Sequence, residues 1–365
     1  MCPCQCVHMQ ADIEGFLYPV INRSVCKDCG LCETVCPVIN HKAKQKSLNK
    51  AYGAYNLDEN IRRISSSGGV FYLLAKQCIE RGGVVAGAAF DGNFVLYHQV
   101  VSKVEELDKL LGSKYVQSKT GDIYIRIKQY LDSGVFVLFS GTSCQVEALL
   151  SFLGRKYNNL TTVDIICHGV PSPLLLEKYK LWISGNFNHS KINNLLFRDK
   201  SSGWKQYSVS AELSNNTVYS KVFHDDPFMR AFLQDYCLRP SCYTCVFKGL
   251  DRMSDITLGD FWGVEYVLPM LDDNRGTSLV ITHSDKGEKL FWHICNSLKV
   301  VSVDCSLALE YNPSALYSSA QPKLRNQFMK DLREKDFSFV FERYLKDSKL
   351  MTIKKFVKSL MKIGK

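Results

Sequence analysis

The chain has 365 residues, of which 46% are hydrophobic, 22% are charged and 15 are cysteines. This length predicts about two domains and is enough for an apolar core, so disulfides are not needed to hold the fold together. No apolar run approaches the about 20 residues of a membrane span, and the start has no signal peptide, so we expect a cytoplasmic protein. Disulfides are rare in that reducing compartment, so the many thiols indicate bound metal.

The net charge of +10 is concentrated near the C-terminus. Residues 321–365 hold 13 Lys and Arg against 5 Asp and Glu, and the rest of the chain is nearly neutral. The body therefore lacks the basic surface of a nucleic-acid-binding protein. Lysines alternate with apolar residues over 354–365, which predicts an amphipathic helix packed on the body. Contact with an anionic membrane surface or an acidic partner is the alternative.

The predicted elements alternate between strands and helices after a cysteine-rich start and a polar linker near residues 41–50. This alternation predicts parallel strands, at least one βαβ unit and a mixed α/β (α+β) fold. In chain order we predict a helix at 69–80, strands at 83–90 and 94–101, helices at 103–111 and 122–131, a strand at 135–139, a helix at 145–153, a strand at 160–166, a helix at 174–183, strands at 194–197, 206–212, 255–258 and 278–282, and a helix at 286–294. The predicted organisation is a small cysteine-rich domain at 1–46, an α/β body in two parts at 51–133 and 134–320, and a basic helical tail at 321–365.

The strongest motif lies near the start of the chain. Its spacing is C-x2-C-x2-C-x3-C-P, formed by Cys26, Cys29, Cys32 and Cys36. This pattern is typical of a 4Fe–4S ferredoxin, in which the fourth cysteine binds the other cluster of a pair. Zinc is the alternative, but zinc sites usually pair two C-x2-C knuckles across a longer stretch.

Cys2 and the proline after it resemble the last step of a first motif of the same kind. The other three cysteines of that motif would precede Met1, so we expect the start of the chain to be incomplete. One cluster can then be closed by Cys2, Cys26, Cys29 and Cys32, which leaves Cys36 without partners. The extra Cys4 and Cys6 fit no standard spacing and are expected to be free thiols or substitute ligands.

Four cysteines of the α/β part are predicted to meet at one edge of the sheet. Cys144 and Cys167 each follow a predicted strand, and carboxyl ends of parallel strands form the edge where open α/β sheets bind ligands. Cys242 and Cys245 form a C-x2-C knuckle without a second half, so we predict that the four thiolates hold a second cluster. The alternatives are zinc on the same ligands, Cys144 as a nucleophile with His168 as its base, or buried structural thiols.

Three polar loops lie at or near helix starts, where backbone amides and hydroxyls bind anions. Simple helix capping is the alternative, and none of the loops has the G-x-G-x-x-G fingerprint of a standard dinucleotide fold. The candidate cofactor contacts are Arg63, Ser65, Ser66, Ser67, Gly68 and Gly69 in the first loop, Gly112, Ser113, Lys114, Tyr115, Gln117 and Ser118 in the second, and Gly141 and Thr142 in the third.

Seven segments of the chain resemble the coenzyme F-420 hydrogenase/dehydrogenase beta-subunit family, preceded by a ferredoxin-type domain. In order they are 14–19 (EGFLYP), 63–69 (RISSSGG), 112–118 (GSKYVQS), 140–145 (SGTSCQ), 166–172 (ICHGVPS), 238–245 (LRPSCYTC) and 254–263 (SDITLGDFWG). The resemblance implies FAD in the α/β part, contacted by the first two loops, beside a 4Fe–4S cluster on the four body cysteines. Ser143 departs from the family, which usually has proline there, so this loop is expected to be looser.

Together these features predict an oxidoreductase that passes electrons between one or two 4Fe–4S clusters and FAD. FAD would exchange a hydride with an organic substrate or a deazaflavin-like coenzyme, and His168 is the candidate proton donor. Expected partners are a ferredoxin-like redox protein and a small molecule, not nucleic acid. Two other functions stay open, an electron-transfer subunit without its own substrate and a zinc-stabilised accessory protein of polysaccharide biosynthesis.

Overall fold

The structure is a computed structural model that describes residues 2–40 and 49–346, so most of the predicted linker and the lysine-rich stretch at 354–365 lie outside the described residues. The described strands are β1 (Val7–Ala11), β2 (Leu17–Ile21), β3 (Lys50–Asn56), β4 (Val84–Phe90), β5 (Leu96–Val101), β6 (Val137–Thr142), β7 (Leu160–Ile165), β8 (Ile192–Asp199), β9 (Ser208–Leu213), β10 (Val218–Val222), β11 (Ile256–Asp260), β12 (Ser278–Thr282) and β13 (Leu298–Val303). The described α-helices are α1 (Leu31–Thr34), α2 (Glu59–Ile64), α3 (Val70–Glu80), α4 (Ile123–Asp132), α5 (Ser143–Leu153), α6 (Pro173–Asn186), α7 (Pro227–Leu233), α8 (Val264–Val267), α9 (Asp285–His293), α10 (Cys305–Leu309), α11 (Pro313–Leu316), α12 (Arg325–Glu334) and α13 (Phe337–Val340).

The main sheet has the strand order β13-β3-β12-β11-β7-β6-β4-β5 within the described ranges. Its centre is parallel, since β4 pairs with β6, β6 with β7, and β7 with β11 in the same direction. The strands on both sides of this centre pair antiparallel. Because the four parallel strands end at the same edge, we call that edge the carboxyl rim.

Helices cover both faces of the main sheet. Successive residues of a strand point to opposite faces, so Val85 and Leu138 pack in a core with α3 and α9. Their neighbours Val84 and Val137 pack in a second core with α4 and α5 on the other face. The short apolar runs in the sequence therefore form strands that are buried on both sides, as expected of parallel strands.

A smaller antiparallel sheet, with the order β10-β9-β8, packs in a separate core with α6, α7 and α12. Asp226 begins α7 and is fully buried. Its carboxylate accepts hydrogen bonds from the hydroxyl groups of Tyr179, at 2.5 Å, and Tyr219, at 2.7 Å. It also accepts one from the backbone N–H of Met229, which caps the helix.

The N-terminal cysteine segment is fastened to the body by the turn of its β1–β2 hairpin. Phe16 is completely buried, and the guanidinium of Arg325 donates to both carboxylate oxygens of Glu14, at 2.8 and 2.5 Å. Ser172 donates to the carbonyl of Glu14, and the side chain of Gln117 accepts the backbone N–H of Leu17. These contacts fix the hairpin beside the chain that leads into the cysteine knuckle.

The mixed α/β fold and the parallel pairing predicted from the sequence are confirmed. The predicted helix at 103–111 is wrong in type, because Val104–Leu110 forms a 3-10 helix. Strands β1, β2, β3, β10 and β13 and helix α7 were not predicted. In the described part of the chain, no helix has the length and apolar character needed to cross a membrane.

Candidate functional site

Cys144 and Cys167 lie next to each other at the carboxyl rim. Thr142 and Ile165 are paired across β6 and β7, and each cysteine lies two residues beyond one member of that pair. Neighbouring strands are about 4.8 Å apart, so the two thiols are adjacent. Thr142 and Gln145 form a capping box at the start of α5, which fixes the turn that carries Cys144.

The cysteine knuckle reaches the same place through pairing with the chain that follows Cys167. Pro171 bridges to Leu238, and the N–H of Arg239 donates to the carbonyl of Val170 at 2.9 Å. A side chain cannot replace Gly169, because its Cβ would lie 2.8 Å from the Leu238 side chain. This close approach brings Cys242 and Cys245 to Cys144 and Cys167.

The four thiols are close enough to affect one another's ionisation. Burial, with smaller contributions from the charges of Cys245 and Cys242, raises the pKa of Cys144 to about 11. Burial also raises the pKa of Cys167 to about 12, although the Lys248 ammonium opposes this, and it raises the pKa of Cys242. Thiols held together in this way require positive charge to ionise, which an iron core supplies.

A cluster at this rim stays a prediction, with zinc as the alternative. In the parts of the chain that the structure describes, 2–40 and 49–346, no three His, Cys, Asp or Glu side chains form a group that could hold one metal ion. Zinc binds thiolates at about 2.3 Å, whereas a four-iron cube holds its four thiolates further apart.

The arrangement around Cys144 and His168 does not suit a nucleophile and its base. An activated cysteine has a lowered pKa, whereas burial raises that of Cys144. Both ring nitrogens of His168 already have other partners, Nε2 with Asp235 at 2.7 Å and Nδ1 with Ser314 at 3.2 Å. His168 thus lies next to Cys167 with its ring held in place, and a role as proton donor stays a prediction.

The N-terminal cysteines surround a cavity of about 200 Å³. Its lining includes Cys2, Cys26, Cys29 and Cys32, the four residues predicted to close one cluster, together with Cys4 and Cys6. Cys36 is not part of this lining. The turn after Asp28 and the left-handed Gly30 before α1 present the middle cysteines to the cavity.

Cys6 is an additional thiol in contact with the predicted ligands. Its sulfur lies 3.3 Å from that of Cys2, and its side chain is 4% exposed. The shared hydrogen bond holds the pKa of Cys2 below its usual value and, with burial and Cys26, raises the pKa of Cys6 to about 12. Cys2 is therefore the more readily ionised of the two.

The first polar loop connects α2 to α3 and returns to the end of β3, where the N–H of Asn56 donates to the carbonyl of Gly68. Most of its polar groups are already bonded. Ser65 donates to the carbonyl of Ile61, and Ser67 to that of Thr277. Gly68 is packed so tightly that a Cβ would lie 2.4 Å from a backbone oxygen, and Gly69 caps α3 with φ 82°. Arg63 is exposed, whereas its neighbour Arg62 is buried.

The second and third loops lie beside the first. Ser66 and Ser113 join two of them by a hydroxyl–hydroxyl hydrogen bond of 2.9 Å. His98, which was not singled out from the sequence, joins the second loop to the third. Its ring contacts the hydroxyl of Ser118 at 2.7 Å and the carbonyl of Ser140 at 3.1 Å. Burial lowers the pKa of His98 to about 4, so its ring is neutral.

The remaining predicted contacts divide between bonded and accessible groups. Lys114 donates to the carbonyls of Leu111 and Gly112, and burial lowers the pKa of its amine to about 7. Gln117 holds the N-terminal hairpin, as described above. Gly112 faces open space, and Gly141 is the last residue but one of β6. The structure thus brings the three loops together near the rim cysteines.

A group of buried residues near the rim was missed in the sequence. Arg198 at the end of β8 pairs with Asp260 at the end of β11. Trp204 donates to the same carboxylate at 3.2 Å and stacks on Trp262 with ring centroids 4.9 Å apart. A charged residue directly after an apolar strand was the one signal available for Arg198.

Comparisons with known proteins identify the central part of the chain. Residues 136–304 match the family model for the C-terminal part of the beta subunit of coenzyme F420 hydrogenase/dehydrogenase. A chain of the xenon-derivatised F420-reducing [NiFe] hydrogenase complex from Methanosarcina barkeri is 16% identical, with 83% of this chain and 94% of that chain covered and a TM-score of 0.49. No curated protein matches the sequence.

Proposed function

Because residues 136–304 match the model of the coenzyme F420 hydrogenase/dehydrogenase beta-subunit family, we propose that the chain is an iron–sulfur flavoprotein oxidoreductase of that family. It passes single electrons between 4Fe–4S clusters and FAD. The observation that carries this proposal is the meeting of Cys144, Cys167, Cys242 and Cys245 at the carboxyl rim. Four thiolates beside three polar loops are the ligand set that a cluster next to an organic cofactor requires.

The N-terminal cavity supports a second cluster. Cys2, Cys26, Cys29 and Cys32 surround it. We propose that these four hold that cluster and that Cys36 is not a ligand. The hairpin contacts of Glu14 keep this segment beside the chain that enters the knuckle, so the two cluster sites belong to one redox path.

FAD, when bound, converts the single electrons carried by clusters into two-electron exchange with an organic partner. The chain's own residues supply the setting for this chemistry. Ser66 and Ser113 hold the first and second loops together. His98 holds the second and third loops together. Lys248 donates to the carbonyl of Cys167 and brings positive charge to the buried thiols. His168, locked by Asp235, positions the turn after Cys167.

This chemistry indicates the chemical class of the one-electron partner and of the hydride partner. Clusters accept and release one electron at a time, so we propose a redox partner protein such as a ferredoxin-like donor or acceptor. The hydride partner is a small organic molecule or a deazaflavin-like coenzyme.

The proposal is tested by anaerobic reconstitution with iron and sulfide, followed by iron, sulfide and flavin analysis and by electron paramagnetic resonance of the reduced protein. We expect about eight iron atoms and one FAD per chain, and about four iron atoms in the variant C144S/C242S. The matched control C78S/C295S changes two partly buried cysteines elsewhere and keeps all the iron. Zinc without iron, or iron without any flavin, overturns the proposal.

A further inference from the structure

Arg198 is a buried arginine with half of its guanidinium unused. The side chain is 4% exposed, and Nη1 donates to the carboxylate of Asp260. Nε and Nη2 are buried and have no hydrogen-bond partner of good geometry in the described ranges, and the Tyr115 hydroxyl lies close enough to the guanidinium to raise its pKa. Buried polar groups are almost always paired, so an unpaired edge inside a protein requires an explanation.

Two other buried arginines have all their nitrogens paired, and Arg325 leaves one, Nε, where Arg198 leaves two. Arg62 uses Nε on the carbonyl of Gly276 and both terminal nitrogens on Asp273, at 2.7 and 2.6 Å. Arg252 likewise has a protein partner for each of its three nitrogens. Arg198 is therefore not simply a structural arginine of the same kind.

The free edge has the shape of an anion-binding group. Nε and Nη2 point their N–H bonds in parallel, which matches two oxygens of a phosphate or carboxylate. Asp260 is on the other side of the guanidinium and fixes its orientation. The faces of Tyr207 and Trp262 lie 4.4 and 5.4 Å from Arg198 Cζ, which further restricts its movement.

The surroundings connect Arg198 to the polar loops. Tyr115 of the second loop packs edge-on against Phe197, the residue before Arg198, with ring centroids 5.6 Å apart. Lys200, two residues further along, donates to the carbonyls of Arg62 and Ser67 in and beside the first loop. The strand end thus contacts both loops that the sequence assigns to the cofactor.

The local charge also favours an anion. Although burial opposes it, the charge of Asp260 and the nearby Tyr115 raise the pKa of Arg198, so its guanidinium stays charged. Burial and the positive charge of Arg198 together lower the pKa of Lys200 to about 7. A second negative group beside Asp260 would offset this concentration of positive charge.

We propose that the Nε–Nη2 edge of Arg198 binds a phosphate group of the nucleotide cofactor. This inference rests on the proposed function and assigns a residue outside the three predicted loops to the site. Tyr115, which packs against the residue before Arg198, is the loop residue placed to contact the rest of the same molecule.

The test compares the binding of FAD, FMN and riboflavin to the reconstituted full chain by flavin fluorescence. The variant R198Q/D260N removes both members of the ion pair, so no unpaired charge is left buried, and its thermal unfolding shows whether it is folded. We expect this variant to bind FAD and FMN about 10- to 100-fold more weakly, because it loses charged hydrogen bonds to the phosphate. The affinity for riboflavin, which has no phosphate, should change less than about twofold. R198K keeps the charge but loses the two-pronged edge and should show an intermediate loss.

The control R155Q removes an exposed arginine that pairs with Asp132 and should change no affinity. Equal weakening of FAD and riboflavin, or no weakening of FAD, overturns the inference while the proposed function stands. If the wild-type chain binds no flavin, the proposed function fails. In that case inorganic pyrophosphate still tests Arg198: stabilisation of the wild type but not of R198Q/D260N supports the anion site, and equal effects overturn it.

Discussion

The chain presents cysteines in two regions of opposite construction. In residues 2–40, only Cys6 and Phe16 are buried, and two short strands form the only sheet in that range. At the carboxyl rim, Cys144 and Cys167 follow strands with helix-packed cores on both faces. The first region has almost no core of its own, whereas the second is shaped by packing that involves hardly any cysteine.

This difference separates two ways of making a metal site. A segment without a core obtains its order from the bound group and from docking, so binding and folding are one process. A site at the end of packed strands is formed before the metal arrives. The following predictions test that contrast from the largest effect to the smallest.

The largest effect is expected from C26S/C29S, which removes two proposed N-terminal ligands. Metal binding supplies about 10–16 kcal/mol of folding free energy in zinc-finger peptides, and a cluster should act similarly here. Hydrogen exchange should show residues 22–40 losing protection, while the turn at Glu14 and Phe16 keeps part of it through docking. Unchanged protection of 22–40 would mean that this segment orders itself without metal.

R325Q should loosen the hairpin from the body. Arg325 is 5% exposed and binds both oxygens of Glu14 and the carbonyl of Leu238, so its removal leaves buried groups unpaired. We expect a loss of about 3–5 kcal/mol in unfolding free energy by urea titration, with faster proteolysis within 2–40. The double variant E14Q/R325Q should recover part of that loss. If its loss of unfolding free energy equals the sum of the losses in E14Q and R325Q, the two residues do not act as a pair.

Asp226 gives the body a pH dependence in the range between about pH 4 and 6. Burial raises its pKa from 3.8 to about 6, so the native state binds a proton more readily than the unfolded chain. Burying the ionised carboxylate therefore lowers the free energy of unfolding above about pH 6. Protonation relieves this loss as the pH falls toward 4, by up to about 3 kcal/mol. D226N keeps the helix cap without this titration.

The measurement for Asp226 is the difference in unfolding free energy between wild type and D226N at pH 8, 6.5 and 5. The free energy of unfolding of the wild type should rise relative to that of D226N as the pH falls. A difference that is constant across this range would show that the carboxyl group has an ordinary pKa in the folded protein.

The smallest effect is expected at the rim. Serine is close to cysteine in size, and the surrounding cores are apolar, so C144S/C242S should change the unfolding free energy of the metal-free protein by less than about 1.5 kcal/mol. Its iron content should still fall, as predicted above. A large loss of stability without metal would mean that the rim, like the N-terminal segment, lacks a preformed framework.

The sequence predicted the βαβ unit of β6, α5 and β7 because its apolar runs are short, continuous and bounded by turns. It missed β3 because Gly53 interrupts the pattern, and only the structure shows why glycine is there: a Cβ would lie 2.8 Å from Leu268 and Leu271. The body cysteines were grouped from strand ends, since topology brings Cys144 and Cys167 to one edge, and their role as ligands stays a prediction. Arg198 could not be found in this way. Its nitrogens are recognised as unpaired only when the positions of all the segments packed around them are known.

The bond between Glu14 and Arg325 also sets an order of events during synthesis. These residues are separated by 311 positions, so the hairpin cannot dock until nearly all of the described chain has been made. At about 5–20 residues per second, the N-terminal cysteines remain undocked for roughly 15–60 s after they are made. Their contact with the carriers that deliver iron and sulfide is therefore least restricted on the ribosome, before the body closes over the hairpin turn.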